Sequence, residues 1–489
     1  MTVTPSVAPS VTSFDRLFIG GRWVAPAGPG TIEVRSPHDR RLVGVVPEAV
    51  PADVDQAVAA AREAFDHGPW PLTTPAERRA VISRFDELHT ARGEELAALV
   101  TAENGSPLWF THWLHNGGIA EQTAAYLRAS EGFGWEEELP SAGSGRTLVR
   151  REAVGVVAAV IPWNAPHQSA LAKVVPALLA GCTVILKAAP ETAVDALVLG
   201  ELFAEAGLPE GVLSILPAGR ETSAYLVAHP GVDKIAFTGS TAAGRRIASV
   251  AGEQLKRVSL ELGGKSAAVV LEDADLAAVA EGLKSASLGN NGEACIAHTR
   301  ILAPRSRYEE VVAAVASMME GITVGDPSDP ATYLGPMVRA DQQARVRSYI
   351  DLGIEEGARL VTGGPGMPEG LEEGYYVRPT LFADVDNSMR IAQEEIFGPV
   401  LVVIPFDDED DAVRIANDSL YGLSGGVWTA DTERGLAVAR RIRTGTFSVN
   451  GGFGGFDGPF GGYKTSGIGR EFGAAGLGQY VEQKTISTA

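Results

Sequence analysis

Two cysteines stand among the 489 residues of this chain. So few cannot build a disulfide framework. Neither sits at metal-ligand spacing, so no metal site is expected. A reduced, cytoplasmic compartment is the default expectation. Cations are scarce relative to acids: 41 Lys and Arg stand against 61 Asp and Glu, a formal net charge of −20. That balance argues against nucleic acid and anionic membrane as partners. No apolar run approaches the ~20 residues of a spanning helix. VGVVAAVI (154–161) is far shorter and reads as a buried strand. The opening MTVTPSVAPSVTSFDR has no basic segment followed by an apolar one, and reads as a short flexible tail. There is no repeat of fixed period.

What is present is the composition of a soluble globular enzyme, 45% hydrophobic and 21% charged. The length exceeds what one hydrophobic core supports, so two or three domains are expected. From 154 to 273, apolar β-type runs alternate with helical patterns: VGVVAAVI, SALAKVVPALLAG, TVILKA, DALVLGELFAEAG, VLSILPA, KIAFTGS, AAGRRIASVAGEQL and RVSLELGG. Runs apolar at every position predict strands covered on both faces, and the alternation predicts a parallel, doubly wound sheet. A second α/β region follows from SAAVVLEDADLAAVAEGLKSASLG onward. The segment 133–152 has a turn-rich centre between extended flanks and predicts a projecting β-hairpin.

The two cysteines differ in setting. Cys182, in LLAGCTVIL, lies between apolar runs and reads as core. Cys295, in NNGEACIAHTR, lies in polar, glycine-bearing sequence of the kind that carries function. Parallel sheets bind ligands beyond the carboxyl ends of their strands. Several polar groups fall at such ends. Asn164 follows VGVVAAVI in Pro162-Trp163-Asn164 and suits an oxyanion donor. Lys187 closes TVILKA and suits a ribose or phosphate oxygen. Thr238, Gly239 and Ser240 close KIAF and open a helix, either as an ordinary N-cap or as a phosphate site. Glu261 closes RVSL and suits a general base. Together they place a carboxylate, an amide donor, a phosphate-type loop and a cysteine at strand ends or in the loops that follow them.

PWN, FTGSTAAG, ELGGK, GEACIAHTR, EEIFGPV and PFGGYKTSGIGRE, in this order and spacing, resemble the aldehyde dehydrogenase superfamily over about residues 18–485. The resemblance implies an α/β fold of three parts. These are a Rossmann-type cofactor domain (1–132 and 153–262), a catalytic domain (263–477) and an oligomerisation arm (133–152 and 478–489). The C-terminal QYVEQKTISTA would then add a strand to a partner's sheet, giving a homodimer or homotetramer. By the same resemblance Cys295 is the nucleophile, Glu261 the base and Asn164 the side-chain half of the oxyanion hole. Ile161, Pro162, Trp163, Lys187, Gly239, Ser240, Leu262, Glu395, Phe397, Gln342 and Arg345 fall to the dinucleotide. NAD is favoured over NADP, because no arginine is evident beside Lys187 and Glu191 would repel a 2′-phosphate.

The sequence departs from the family pattern in places. Glu293 stands two residues before Cys295, where its charge would raise the thiol's pKa unless it points away. Pro190 and Arg220 occupy positions where glutamate and glycine are common. His298 stands where a small residue is common, and APHQS follows PWN where an apolar substrate wall is common. A cysteine hydrolase or acyltransferase pairing Cys295 with His298, a coenzyme-A-acylating dehydrogenase, and a non-catalytic binding protein are the competing readings. Trp109, Phe110, Trp113 and His115, with Phe453, Phe456 and Phe460, are either core or the wall of a pocket for an apolar aldehyde.

Overall fold

Strand Val156–Val160 is buried at every position. Val157 and Ala159 face one hydrophobic core, while Val156, Ala158 and Val160 face another. Successive strand side chains point to opposite faces, so an unbroken apolar run needs cover on both. Helices Pro166–Ala180 and Ala193–Glu205 cover one face; Pro51–Asp66 and Thr241–Glu253 cover the other. The computed structural model describes residues 12–140, 143 and 145–489. Residues 1–11 of the expected tail lie outside these, and Thr12–Ser13 form a short strand parallel to Gly44 and Val45.

Eight strands make this first sheet. Its parallel strands run in the order Arg257–Glu261, Lys234–Thr238, Val156–Val160, Thr183–Ala188, Leu213–Pro217. The chain builds outward on one side of Val156–Val160 and then crosses to the other. That reversal is a topological switch point, where open α/β sheets leave a crevice at the carboxyl ends. Antiparallel strands Leu17–Ile19, Arg22–Val24 and Gly467–Ile468 extend the edges.

The second sheet has seven strands. At its centre Ser266–Val270 and His298–Pro304 are parallel and, like the first sheet, apolar on both faces. Residues 262–265 alone join Glu261 of the first sheet to Ser266 of the second. The carboxyl edge of one sheet therefore abuts the amino edge of the other, and this junction positions the site.

A third sheet contains the expected hairpin, Glu136–Leu139 against Arg146–Ala153. The C-terminal strand Val481–Thr488 lies antiparallel to Arg146–Ala153 of the same chain, with Val481 opposite Ala153 and Thr488 opposite Arg146. Within the chain the tail pairs on one side with its own hairpin, and its other side is an outer edge of this sheet. Glu136–Leu139, exposed throughout, is left as an open edge. Among the described residues no helix is long and apolar enough to cross a membrane.

Candidate active site

Cys295 occupies a turn between the 3₁₀ segment Gly289–Gly292 and strand His298–Pro304. Its loop therefore precedes a strand, at the amino edge of the second sheet. This corrects the expectation of a loop following a strand: the cysteine reaches the crevice from the opposite sheet. Asn290 and Asn291 take left-handed φ values of +52° and +61°, which short polar side chains tolerate. Their amides pin the loop: Asn290 Nδ2 donates to the Asn164 carbonyl at 2.7 Å, and Asn291 Nδ2 to the Gly105 carbonyl at 2.9 Å. Beneath the loop, a Cβ on Gly264 would stand 2.2 Å from the Cys295 carbonyl oxygen. Gly264 of ELGGK is thus a steric condition for seating Cys295.

Asn164 Nδ2 donates to the Glu293 carbonyl at 2.9 Å, which holds it against the same loop. Glu261 ends its strand at the junction, buried, with Oε2 lacking any partner. Burial holds its pKa well above the usual carboxylate range. Glu471 raises it further, while Lys173 and Arg470 oppose the rise. Lys173 Nζ donates to Thr238 Oγ1 at 2.6 Å and also to Glu471. Burial pushes the Cys295 thiol up to about 12, with Glu395 and Glu261 adding to the effect. Cys295 is half-buried, whereas Cys182 is wholly buried and donates to the Tyr480 carbonyl at 3.4 Å.

Glu293 points away from the thiol. Its carboxyl accepts the Val338 N–H at 3.3 Å and lies beside Arg339, so the threat to Cys295 does not arise. His298 is equally removed from it: buried, pushed down to about 4, its ring 6.0 Å from Trp428. Arg220 is exposed at the start of helix Arg220–Ala228, and Pro190 opens a 3₁₀ turn.

The residues expected at a dinucleotide lie around the switch point and the loop 395–397. Lys187 ends strand Thr183–Ala188, and burial lowers its ammonium to about 8. Glu191 nearby accepts from Arg339 at 2.9 Å. Ile161 N–H donates to the Lys187 carbonyl at 3.2 Å, and Pro162 leads to Trp163. The Trp163 ring lies 5.6 Å edge-on from Phe397, with the Arg339 guanidinium 5.6 Å over it. Gly239 N–H donates to the Glu261 carbonyl at 3.0 Å. Ser240 Oγ accepts from Ala243 N–H at 3.3 Å, so it does cap helix Thr241–Glu253, whose positive end faces the switch point. Leu262 packs under that helix, where a Cβ on Gly244 would meet it at 2.5 Å.

Glu395 accepts the Gly264 N–H at 2.9 Å, and burial raises its carboxyl to about 7. Gln342 Nε2 donates to the Phe397 carbonyl and Arg345 Nη2 to the Glu395 carbonyl, each at 2.6 Å. These two side chains therefore grip the backbone of loop 395–397. Phe397 has φ +66°, a conformation that persists only when its surroundings hold it.

Several participants were not anticipated. Lys173 carried a readable signal, a lysine inside the apolar helix pattern SALAKVVPALLAG. Glu471 and Arg339 carried none. Among the aromatics, Phe456 is core and packs on Phe472 at 5.0 Å, Trp109 stacks on Tyr333 at 4.8 Å, and Phe110 is partly buried against the first core. Phe460 also packs on Phe472, whereas Trp113 and Phe453 are exposed. His115 is buried away from any wall.

Comparison with known proteins bears on this crevice. The family model described as "Aldehyde dehydrogenase family" matches residues 23–486. A curated relative from Castellaniella defragrans, geranial dehydrogenase, is 47% identical over 96% of this chain and 98% of its own length. The crystal structure of a Mycobacterium tuberculosis aldehyde dehydrogenase complexed with NAD+ is 50% identical, covers 98% of each chain and superposes with a TM-score of 0.95. That of a Pseudomonas syringae aldehyde dehydrogenase, a Cys→Ala mutant complexed with NAD+ and octanal, is 41% identical. It covers 99% of this chain and 98% of its own, with a TM-score of 0.93.

Proposed function

The chain belongs to the aldehyde dehydrogenase family, and from that premise we propose that it oxidises an apolar aldehyde to a carboxylic acid through a covalent intermediate on Cys295. The observation that carries this reading is the convergence at one junction of a half-buried cysteine, the Asn164 amide and the unpartnered Glu261 oxygen.

Cys295 Sγ, as thiolate, attacks the aldehyde carbon and forms a C–S bond. The carbonyl oxygen becomes an oxyanion, for which the Asn164 amide and the Cys295 N–H serve as donors. Lys187, the amino end of helix Thr241–Glu253 and the Glu395 carboxylate fit a dinucleotide in the crevice, offering a cation, backbone donors and a ribose acceptor. NAD, when bound, supplies the acceptor for the hydride that leaves the Cys295-bound carbon. A thioester remains on Cys295. Glu261, as carboxylate, takes a proton from water, the hydroxide adds, and the C–S bond breaks to release the acid and restore the thiol. Hydrolysis through Glu261 favours this over transfer to coenzyme A. The position of His298 against Trp428 removes the base that a cysteine hydrolase would need.

Purified enzyme with an apolar aldehyde and NAD, and no thiol acceptor, should produce NADH. Glu191 beside Lys187 disfavours a 2′-phosphate, and its Arg339 partner is also held by Asp341. Initial rates at matched sub-saturating cofactor should favour NAD; a preference for NADP of about tenfold would contradict this reading. The exposed Trp113 and Phe453 suit an aliphatic, aromatic or terpenoid substrate. The relative named for geranial and the neighbour holding octanal support that class. A reducing cytoplasm suits a nucleophile that must remain a thiol.

The same proposal divides the chain into a cofactor domain (1–132, 153–262), a catalytic domain (263–477) and an arm (133–152, 478–489). The open edge at Glu136–Leu139 supports oligomerisation through the arm. Sedimentation velocity at micromolar concentration should show a dimer or tetramer; a monomer would contradict it.

A further inference from the structure

Three imidazoles meet in the interior, apart from Cys295. His89 comes from helix Pro75–Ala91, His115 from the π-turn Leu114–Gly118, and His167 from the first turn of helix Pro166–Ala180. Each is 1% exposed. One nitrogen from each lies within 4.8 Å of the other two. His89 Nε2 and His167 Nδ1 share a hydrogen bond of 3.2 Å. Two nitrogens bound tetrahedrally to one zinc ion stand about 3.3 Å apart, so this pair is already at ligand spacing. Neither nitrogen of His115 has a partner, and nor does His89 Nδ1. π-Turns recur at functional sites because the wider turn re-aims a side chain; here it carries His115.

The surrounding charges point the same way. His167 Nε2 lies 3.1 Å from the Asp195 carbonyl oxygen and 3.3 Å from Asp195 Oδ2. Asp195 and Glu103 are both buried, and neither Asp195 carboxyl oxygen has a well-formed hydrogen bond. Glu103 accepts the N–H groups of Val194 and Asp195 at 2.9 and 3.2 Å. The nearby cation, Arg92, is turned to Glu95 and Glu201. Buried ring nitrogens without a partner are costly as they stand. A metal ion would occupy those nitrogens, since metals bind neutral imidazole.

We propose that His89, His115 and His167 bind one divalent transition-metal ion of the zinc class, with Asp195 orienting His167 from behind. A metal-bound histidine typically directs its other ring nitrogen to a carboxylate or backbone carbonyl, as His167 Nε2 is directed to the Asp195 backbone carbonyl and Oδ2. Three protein ligands leave a fourth position for water. His167 begins the helix that also carries Lys173 and follows Asn164 closely. The ion therefore ties three helical segments together behind the crevice, as a structural centre and not a reacting one.

The test uses the full-length enzyme, purified without a metal-affinity step, equilibrated with Zn2+ and dialysed. Plasma mass spectrometry should find about one zinc per chain. Cys295 is a competing soft ligand, so Cys295→Ala is measured alongside and should retain the metal. His115→Leu should retain at least about tenfold less. Co2+ in place of zinc should give the visible bands of a low-coordinate nitrogen site in wild type and in Cys295→Ala, a readout that does not depend on how His115→Leu folds. Zinc near zero in wild type, absent cobalt bands, or metal that leaves with Cys295→Ala and stays in His115→Leu would each overturn the proposal.

Discussion

Cys295→Ala should lower kcat for aldehyde oxidation by about 10⁴-fold or more, because no other side chain at the junction can form the C–S bond. NAD affinity should stay within about threefold of wild type, since the residues proposed to hold the dinucleotide, Lys187, the helix at Ser240 and Glu395, belong to elements other than the Cys295 loop. Cys182→Ala is the matched control. It removes one buried sulfur from the first core and should cost at most about 2–3 kcal/mol of unfolding free energy, with activity per folded molecule unchanged. Stopped-flow NADH formation and urea denaturation of both variants check the pair. Near-normal turnover by Cys295→Ala would end the covalent mechanism.

Glu261→Gln should separate the two half-reactions. The amide is nearly isosteric but cannot take a proton from water, so the acyl-enzyme should form once and then hydrolyse slowly. The expected trace is a burst approaching one NADH per active site, followed by a steady state lower by about 10²–10⁴-fold. The pH profile adds a second signature. The buried carboxyl has a pKa raised above the usual range, and only its deprotonated form is a base. Wild-type steady-state rate should therefore rise with pH through that raised value and be lost as pH falls through it, at a higher pH than an exposed glutamate would show. Glu261→Gln should lose this rise. A variant with neither burst nor turnover would instead assign Glu261 to forming the Cys295 thiolate, a step burial makes difficult by pushing the thiol up to about 12.

The first sheet was legible because its parallel strands are apolar runs, while the second was legible only as an α/β region. Val156–Val160 reads as a strand covered on two sides and is one. The chemistry at the strand ends was legible for the same reason: once the strands are placed, Asn164, Lys187 and Glu261 fall at one edge. Three things were not. Cys295 precedes its strand, because it belongs to the second sheet, whose opposite edge faces the crevice. Gln342 and Arg345 act on carbonyls of 395–397, and side-chain donation to main chain leaves no spacing signature. His89, His115 and His167 meet only through packing of separate helical segments, so no short metal-ligand spacing announces them. The C-terminal strand was recognised as a strand; its pairing with the chain's own hairpin, which uses only one of its edges, was not.

The central claim is a covalent acyl intermediate on Cys295. Glu261→Gln mixed with an apolar aldehyde and NAD, quenched in acid within the burst and digested, tests it directly by peptide mass spectrometry. The peptide bearing Cys295 should carry the mass of the acyl group, and the adduct should be absent when Cys295→Ala is combined with Glu261→Gln. An NADH burst with no adduct on that peptide, or an adduct found on Cys182, would contradict the claim.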